Sequence, residues 1–266
     1  MTIITLTTDF GIRSGFAGVM KGAIYNIAPQ VKIVDISHAI ATQDIHEGAY
    51  TLARAVPFFP QATIHIYVVD PGVGTKRRPL AARLGEYYFV GPDNGLLTPL
   101  IEDAEQNKQP VEFVHLDNPS YWLPKISRTF HGRDIFAPVA AHLANGVTLS
   151  KLGTSFNDPV HMELVSPEKT DSGWIAHVTV IDTFGNLTTD LPVSALQGRT
   201  DVRFRFRGAE VDGITESYGR KQAGDLVAVV DSEEHIEIAV VNGNASQKLG
   251  VKVGDALEVI VLQALP

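Results

Sequence analysis

The sequence predicts an α/β chain in two parts: an amino-terminal sandwich domain on a mostly parallel sheet, then an antiparallel β-barrel or sandwich domain. Three observations carry this. In the first half, short β-branched runs alternate with longer stretches of helical periodicity, which reads as β-α-β-α-β and hence as parallel strands. In the second half, helical periodicity nearly vanishes and period-2 alternation replaces it. Between them, Ser166-Pro167-Glu168-Lys169-Thr170-Asp171-Ser172-Gly173 has the composition of an interdomain linker. The expected boundaries are therefore 1–165 for an α/β domain that carries the catalysis and 174–266 for the β domain, with 166–173 as linker.

In order along the chain, residues 3–8 read as a buried strand and 15–27 as a helix with Phe16, Val19, Ala23 and Ile27 on one side. Residues 31–36 are the next strand. A helix follows over 46–56, with Ala49, Leu52, Ala53 and Val56 at helical spacing and Pro57 as the stop; 62–69 is the third strand. Residues 87–90 and 111–116 are further strands, and 134–145 is a helix closed by Gly146. In the second half, strands are expected at 174–181, 202–206, 226–230, 235–241 and 256–262, separated by Gly, Asp and Asn turns.

The 266 residues are 44% hydrophobic and 20% charged, which excludes disordered and fibrous classes. Thirty acidic against 22 basic residues give a net charge of −8, and the longest basic run is Lys76-Arg77-Arg78, which argues against nucleic acid as a partner. With no cysteine, thiolate catalysis, disulfides and Cys-based metal sites are excluded. No basic segment followed by a long apolar stretch opens the chain, and no apolar run approaches the ~20 residues of a spanning helix. The expectation is a cytoplasmic protein without membrane association.

Ligands of an open parallel sheet bind outside the carboxyl ends of its strands. Asp9, Asp35 and Asp70 all fall near such ends, although an aspartate there also caps a helix or turn. Asp70 is followed by the glycine-rich turn Pro71-Gly72-Val73-Gly74-Thr75 and then Arg77 and Arg78. An arginine returned beside that carboxylate would keep it ionised and leave donors for another oxygen. The turn lacks the glycine spacing of either common phosphate-binding loop. His131, in Thr129-Phe130-His131-Gly132-Arg133-Asp134, precedes a helix and is the most suggestive of the nine histidines. His65, His142 and His177 have ordinary structural explanations, Asp134 is a helix-cap candidate, and Gly91-Pro92-Asp93-Asn94-Gly95 reads as a structural turn. Asp182-Thr183-Phe184-Gly185-Asn186 ends a strand with an aromatic beside an amide, suited to a planar polar ligand.

Together these segments resemble the S-adenosylmethionine (SAM) hydroxide adenosyltransferases, or SAM hydrolases, relatives of the fluorinating and chlorinating enzymes. The resemblance runs the whole chain: TTDFG at Thr7–Gly11, VVDPGVGT at Val68–Thr75 with Arg77-Arg78, GPDNGLL at Gly91–Leu97, TFHGRDIFAPVAAHLANG at Thr129–Gly146, IDTFGN at Ile181–Asn186, EIAV at Glu237–Val240 and GNA at Gly243–Ala245. It implies an α/β domain followed by a β-barrel, assembled as a homotrimer in which SAM lies between one subunit's first domain and its neighbour's second. The implied reaction is attack of water or hydroxide on C5′ of SAM, giving adenosine and methionine, with SAM as substrate and no cofactor or metal. The family's water-activating residues match Asp70, Arg77 and His131. Asp9 matches its ribose ligand; Asn186, Ser232 and Glu237 match its polar contacts; Phe130 and Tyr218 match the aromatic packing around the nucleoside. Val241 stands where relatives often have Asn, which removes a side-chain contact to adenine and leaves a backbone one.

The chemistry suits these residue types. SAM's leaving group departs as a neutral thioether and needs no acid, so the difficulty is the nucleophile: a water must be held in line with the C5′–S bond and deprotonated. Either Asp70 or His131 could take the proton, and Arg77 would stabilise developing hydroxide. The halogenating relatives carry Tyr at the Asp70 position and Tyr-Ser at His131-Gly132, so the resemblance favours water over halide. Other readings are a SAM or adenosine sensor without turnover and, from Asp9, Asp35, Asp70 and His131 alone, a metal-dependent hydrolase, for which the ligand spacing is missing.

Overall fold

The computed structural model describes residues 1–262, and the chain divides into two compact units, Met1–Glu163 and Leu164–Pro266. The last four residues of the expected second domain, 263–266, lie outside the described residues.

Among these residues the first unit carries strands β1 (Ile3–Thr8), β2 (Lys32–Ser37), β3 (Ile64–Val68), β4 (Pro79–Leu84), β5 (Tyr87–Pro92), β6 (Val111–His115) and β7 (Thr154–Phe156). They form one mixed sheet in the order β2-β1-β3-β5-β4-β6-β7. The first four are parallel, whereas β4 pairs antiparallel with β5 and β6, and β6 with β7. Helices α1 (Phe16–Ile27) and α4 (Ala137–Ala144) cover one face, where Met20, Ile24 and residues 137–141 bury against Ile4, Leu6, Ile66 and Val68. Helices α2 (Ile45–Ala55) and α3 (Thr98–Gln106) cover the other, where Ala49, Leu52, Ile101 and Ala104 pack on Tyr67, Val69, Leu80 and Phe89. Each such buried Leu, Ile or Phe contributes roughly 1.5–3 kcal/mol over an exposed one.

Two local differences from expectation have physical causes. In α1 the buried stripe is Met20 and Ile24, while Phe16 and Val19 stay 49% and 46% exposed; the Phe16 ring packs edge-on to Phe10 and Phe130 instead. The helix expected from Asp134 is preceded by a π turn, Gly132–Phe136, so Asp134 lies inside it, fully buried, rather than at a cap. His65 is also fully buried, with Nδ1 2.8 Å from Thr5 Oγ1, its ring stacked on Phe89, and Nε2 without a hydrogen-bond partner among the described residues.

The second unit carries β8 (Glu168–Thr170), β9 (Gly173–Ile181), β10 (Leu187–Pro192), β11 (Val202–Phe206), β12 (Ala209–Asp212), β13 (Leu226–Val230), β14 (His235–Val240), the short helix α5 (Ala245–Leu249) and β15 (Ala256–Val261). The strands make an antiparallel sheet ordered β12-β11-β15-β9-β10-β14-β13, with β8 on β9. It curls into a nearly closed barrel: Thr215, just past β12, donates to the Ala228 carbonyl of β13 at 2.7 Å. Alternate residues of the strands, among them Ala176, Val178, Phe204, Ile236, Ile238 and Val259, fill the interior. Residues 168–170, inside the stretch with linker composition, are thus a strand of this sheet.

Candidate active site

After β1 the chain runs through α1 on one face; after β2 it runs through α2 on the other. The carboxyl ends of the adjacent β1 and β3 are therefore the point where the connections diverge, the usual crevice of such sheets. Asp9 and Asp70 follow these two ends, and the Asp9 N–H continues the pairing to the Val68 carbonyl at 3.5 Å.

From Asp70 the chain turns sharply and enters β4 at Pro79, which returns Arg77 to the same edge. Arg77 Nε donates to Asp70 Oδ1 at 2.9 Å and to Oδ2 at 3.1 Å, and Nη2 donates to Oδ2. The Arg77 and Asp70 side chains are only 9% and 5% exposed, so this pair is held by geometry rather than as a loose surface contact. Arg77 Nη2 also lies 3.2 Å from His131 Nδ1. A guanidinium only donates, so Nδ1 is the acceptor and the neutral ring carries its proton on Nε2. Burial, then the adjacent Arg77 cation, pushes the His131 pKa below its ordinary value. Arg77 Nη1 is buried and has no hydrogen-bond partner among the described residues, a charged donor left unused by the protein.

Three local features fix this constellation. Gly74, at φ +76°, presses the 71–75 turn against the next loop: a Cβ there would stand 2.3 Å from the Arg128 carbonyl oxygen. The Asn94 amide donates to the Val69 carbonyl at 2.8 Å, and Asp93 accepts from Arg78 Nε and Val160 N at 2.8 Å, so the 91–95 turn buttresses the strand end. Buried Asp134 holds the loop carrying His131, accepting from both Ser127 N and Ser127 Oγ at 2.7 Å and from Arg133 Nε at 2.6 Å. Burial raises its pKa, but these bonds outweigh that and leave it below the usual carboxylate value. Ser127 and the anchoring role of Asp134 were missed from sequence; the only signal is a serine spaced seven residues before an aspartate.

Phe130 lies against Phe10 and Phe16, with centroids 5.8 and 5.1 Å apart in edge-to-face geometry, and Gly132 faces the Phe10 and Phe130 rings and Met20. Asp9 Oδ2 accepts from Gln43 N at 2.9 Å, where Gln43 adopts φ +65°. Asp35 is drawn elsewhere, to Lys21 and His38. Among the described residues, no group of three or more His, Cys, Asp or Glu is placed to hold a metal ion.

In the second unit the candidates are less concentrated. Asp182 Oδ1 accepts from the backbone N–H groups of Phe184 and Asn186 at 2.9 Å, shaping the turn that leaves Phe184 74% exposed. Asn244 sits against that turn, within reach of any Cβ at Gly185. Tyr218 donates a short hydrogen bond to Glu237, which with burial raises the Tyr218 pKa. Burial is the larger cause. Val241 joins a small apolar cluster with Val227, Val229 and Ala239, and its N–H is already given to the Asp225 carbonyl at 2.9 Å. Ser232 is exposed in the β13–β14 loop, at the opposite end of β14 from the Asn186 turn.

Comparison with known proteins matches this chain to one family. Residues 4–153 fit the profile of the SAM hydroxide adenosyltransferase N-terminal domain and residues 176–258 that of the C-terminal domain. An (R)-S-adenosyl-L-methionine hydrolase of Salinispora tropica is 38% identical over 261 residues, covering 96% of this chain and 97% of the relative. More distant is the fluorinase of Nocardia brasiliensis, 27% identical over 294 residues and 97% of each chain. The crystal structure of an uncharacterized conserved protein from Thermotoga maritima has a TM-score of 0.89 to this chain at 36% identity, covering 96% of this chain and 99% of that one.

Proposed function

Because the chain belongs to the SAM hydroxide adenosyltransferase family, we propose that it hydrolyses S-adenosyl-L-methionine to adenosine and L-methionine by attack of water at C5′. The observation that supports this most is the Asp70–Arg77–His131 constellation, its ion pair largely buried and one guanidinium nitrogen unused. Water donates its electron pair to C5′, the C5′–S bond breaks with its pair moving to sulfur, and methionine leaves as a neutral thioether. The proton released from water goes to Asp70. His131 is the weaker candidate for that task, since its Nδ1 lone pair faces Arg77 and its other nitrogen bears hydrogen. Arg77 Nη1 stabilises the negative charge that develops on the attacking oxygen. A carboxylate in the nucleophile's pocket repels halide, which favours water over the chemistry named for the fluorinase relatives.

Asp9 is proposed to accept both ribose hydroxyls, with Phe130 packing on the nucleoside. Asn186, Tyr218, Ser232 and Glu237 supply contacts to the rest of the substrate, and the backbone contact at Val241 falls to its carbonyl, which accepts from Gly224 N at 2.8 Å and keeps a second lone pair, because its N–H is already bonded to Asp225. We extend the reading to a homotrimer in which a neighbouring subunit's second unit completes each site. Exposed apolar groups beside the crevice (Ile12 at 88%, Phe16 and Val19) and Phe184 on the second unit support an interface. The domain division proposed is catalysis in 1–165 and substrate contacts in 174–266, and the enzyme works in the cytoplasm, where SAM is an available metabolite.

The test is incubation of purified protein with SAM and EDTA, with chromatography for adenosine and methionine. Product formation lost in Asp70→Ala supports the reading. Tight calorimetric binding without product over hours would make the protein a sensor, a halide-dependent 5′-halogenated product would make it a halogenating enzyme, and loss of turnover on chelation would make it metal-dependent.

A further inference from the structure

A chain of polar side chains behind the crevice is unused by the mechanism. Lys21 Nζ of α1 donates to Asp35 Oδ2 of β2 at 2.6 Å, and the other carboxylate oxygen, Oδ1, is 3.2 Å from His38 Nε2. His38 Nδ1 in turn is 2.8 Å from Thr8 Oγ1, the last residue of β1, and that oxygen accepts from Phe10 N at 3.3 Å. The Asp35 carboxylate beside Nε2 favours the imidazole proton on that nitrogen, which leaves Nδ1 to accept from the Thr8 O–H. The Nε2–Asp35 approach lies outside hydrogen-bond geometry, so it acts as an electrostatic contact rather than a directed bond.

His38 grips the same turn twice. Its ring holds Thr8, and its backbone carbonyl accepts from Gly11 N at 2.7 Å, where Gly11 has φ +68°. Asp9 and Phe10 lie between these two fixed points. The Thr8 side chain is fully buried, which excludes it as a nucleophile despite the hydroxyl–imidazole–carboxylate arrangement.

We propose that His38 is a positioning residue that sets the Asp9 carboxylate for the ribose diol, its ring directed by the bond to Thr8 and supported electrostatically by Asp35. This rests on the assignment of Asp9 to the ribose. Its effect is on substrate binding and on discrimination against a substrate lacking the 2′-hydroxyl, since a misplaced carboxylate no longer pairs with that group.

The experiment compares Asp9→Ala, His38→Ala, His38→Asn and His38→Gln for kcat, KM and the preference for SAM over 2′-deoxy-SAM. Asn places a polar atom where Nδ1 stood and Gln where Nε2 stood. Expected are a rise in KM of about tenfold in Asp9→Ala and about fivefold in His38→Ala with kcat within about twofold, loss of most 2′-hydroxyl preference in both, and recovery in His38→Asn but not His38→Gln. An unchanged KM in Asp9→Ala overturns the ribose assignment itself. A raised KM in Asp9→Ala with unaltered KM and preference in His38→Ala overturns the positioning role alone. A loss of kcat and melting temperature in His38→Ala that Asn does not restore reduces His38 to a structural part.

Discussion

The two units treat their candidate residues differently. At the sheet edge, Asp70, Arg77 and His131 are drawn from separate loops into hydrogen-bond contact, and each loop is braced from behind by Asn94, Gly74 or Asp134. In the barrel, Asn186, Glu237, Val241 and Ser232 are spread along β10, β14 and their loops, and Tyr218 and Glu237 bond to each other. Under the proposed hydrolysis a reacting water must be closely aligned before chemistry, which calls for preorganised ligands of this kind. Substrate-binding groups can form their contacts when the ligand arrives. The braced Asp70–Arg77–His131 loops of the first unit should therefore govern kcat, and the barrel residues, like Asp9 at the ribose, KM.

The largest expected effect is at Asp70. Asp70→Ala should lower kcat by about a thousandfold or more while leaving KM within a few-fold, as removal of a base does; stopped-time product assays measure it. A raised KM with near-normal kcat would break the contrast between units. Arg77→Lys should also lower kcat strongly, by about a hundredfold, because an ammonium cannot bond Asp70 bidentately and still reach His131 and the water.

Two histidines of the first unit, one on β3 and one in the loop before the π turn, sharpen the contrast by pH. His65, buried among aromatic rings, has its pKa pushed down by burial to about 3. The unfolded chain binds this proton near pH 6.5 and the native state does not, so stability falls as pH drops from about 6.5 toward 3, by on the order of 4 kcal/mol in all. Denaturant melts of wild type and His65→Phe across that range should show a flatter acid dependence in the variant. For His131, protonation at Nδ1 would set a donor against the Arg77 donor. Activity should therefore be complete at neutral pH and fall only below the ordinary histidine value, with that acidic limb altered in His131→Asn. The smallest effects belong to the barrel: Tyr218→Phe, Glu237→Gln and Asn186→Ala should each raise KM about three- to thirtyfold with kcat little changed.

Much of this was legible in the sequence, for particular reasons. β1, β6, β11, β13 and α2 announce themselves through β-branched runs or apolar residues at helical spacing. β4 does not, because Pro79-Leu80-Ala81-Ala82-Arg83-Leu84 contains no β-branched residue and follows a turn that looks like a loop. α1 was legible as a helix but not in its orientation, since Phe16 and Val19 are apolar and yet face outward. At the site, the residue types and motif contexts pointed to Asp70, Arg77 and His131. That residues 54 apart would touch depends on the π turn and on the close approach at Gly74, neither of which leaves a periodic trace. The Thr8–His38–Asp35 chain was invisible for the same reason: each member is ordinary alone.

The central claim, that water attacks C5′ in this crevice, is tested most directly by turnover of SAM in H₂¹⁸O with mass spectrometry of both products. The account predicts one ¹⁸O atom in the 5′-hydroxyl of adenosine, none added to methionine, and loss of the labelled product in Asp70→Ala. Unlabelled adenosine, label in methionine instead, or undiminished labelling in the Asp70→Ala variant would contradict it.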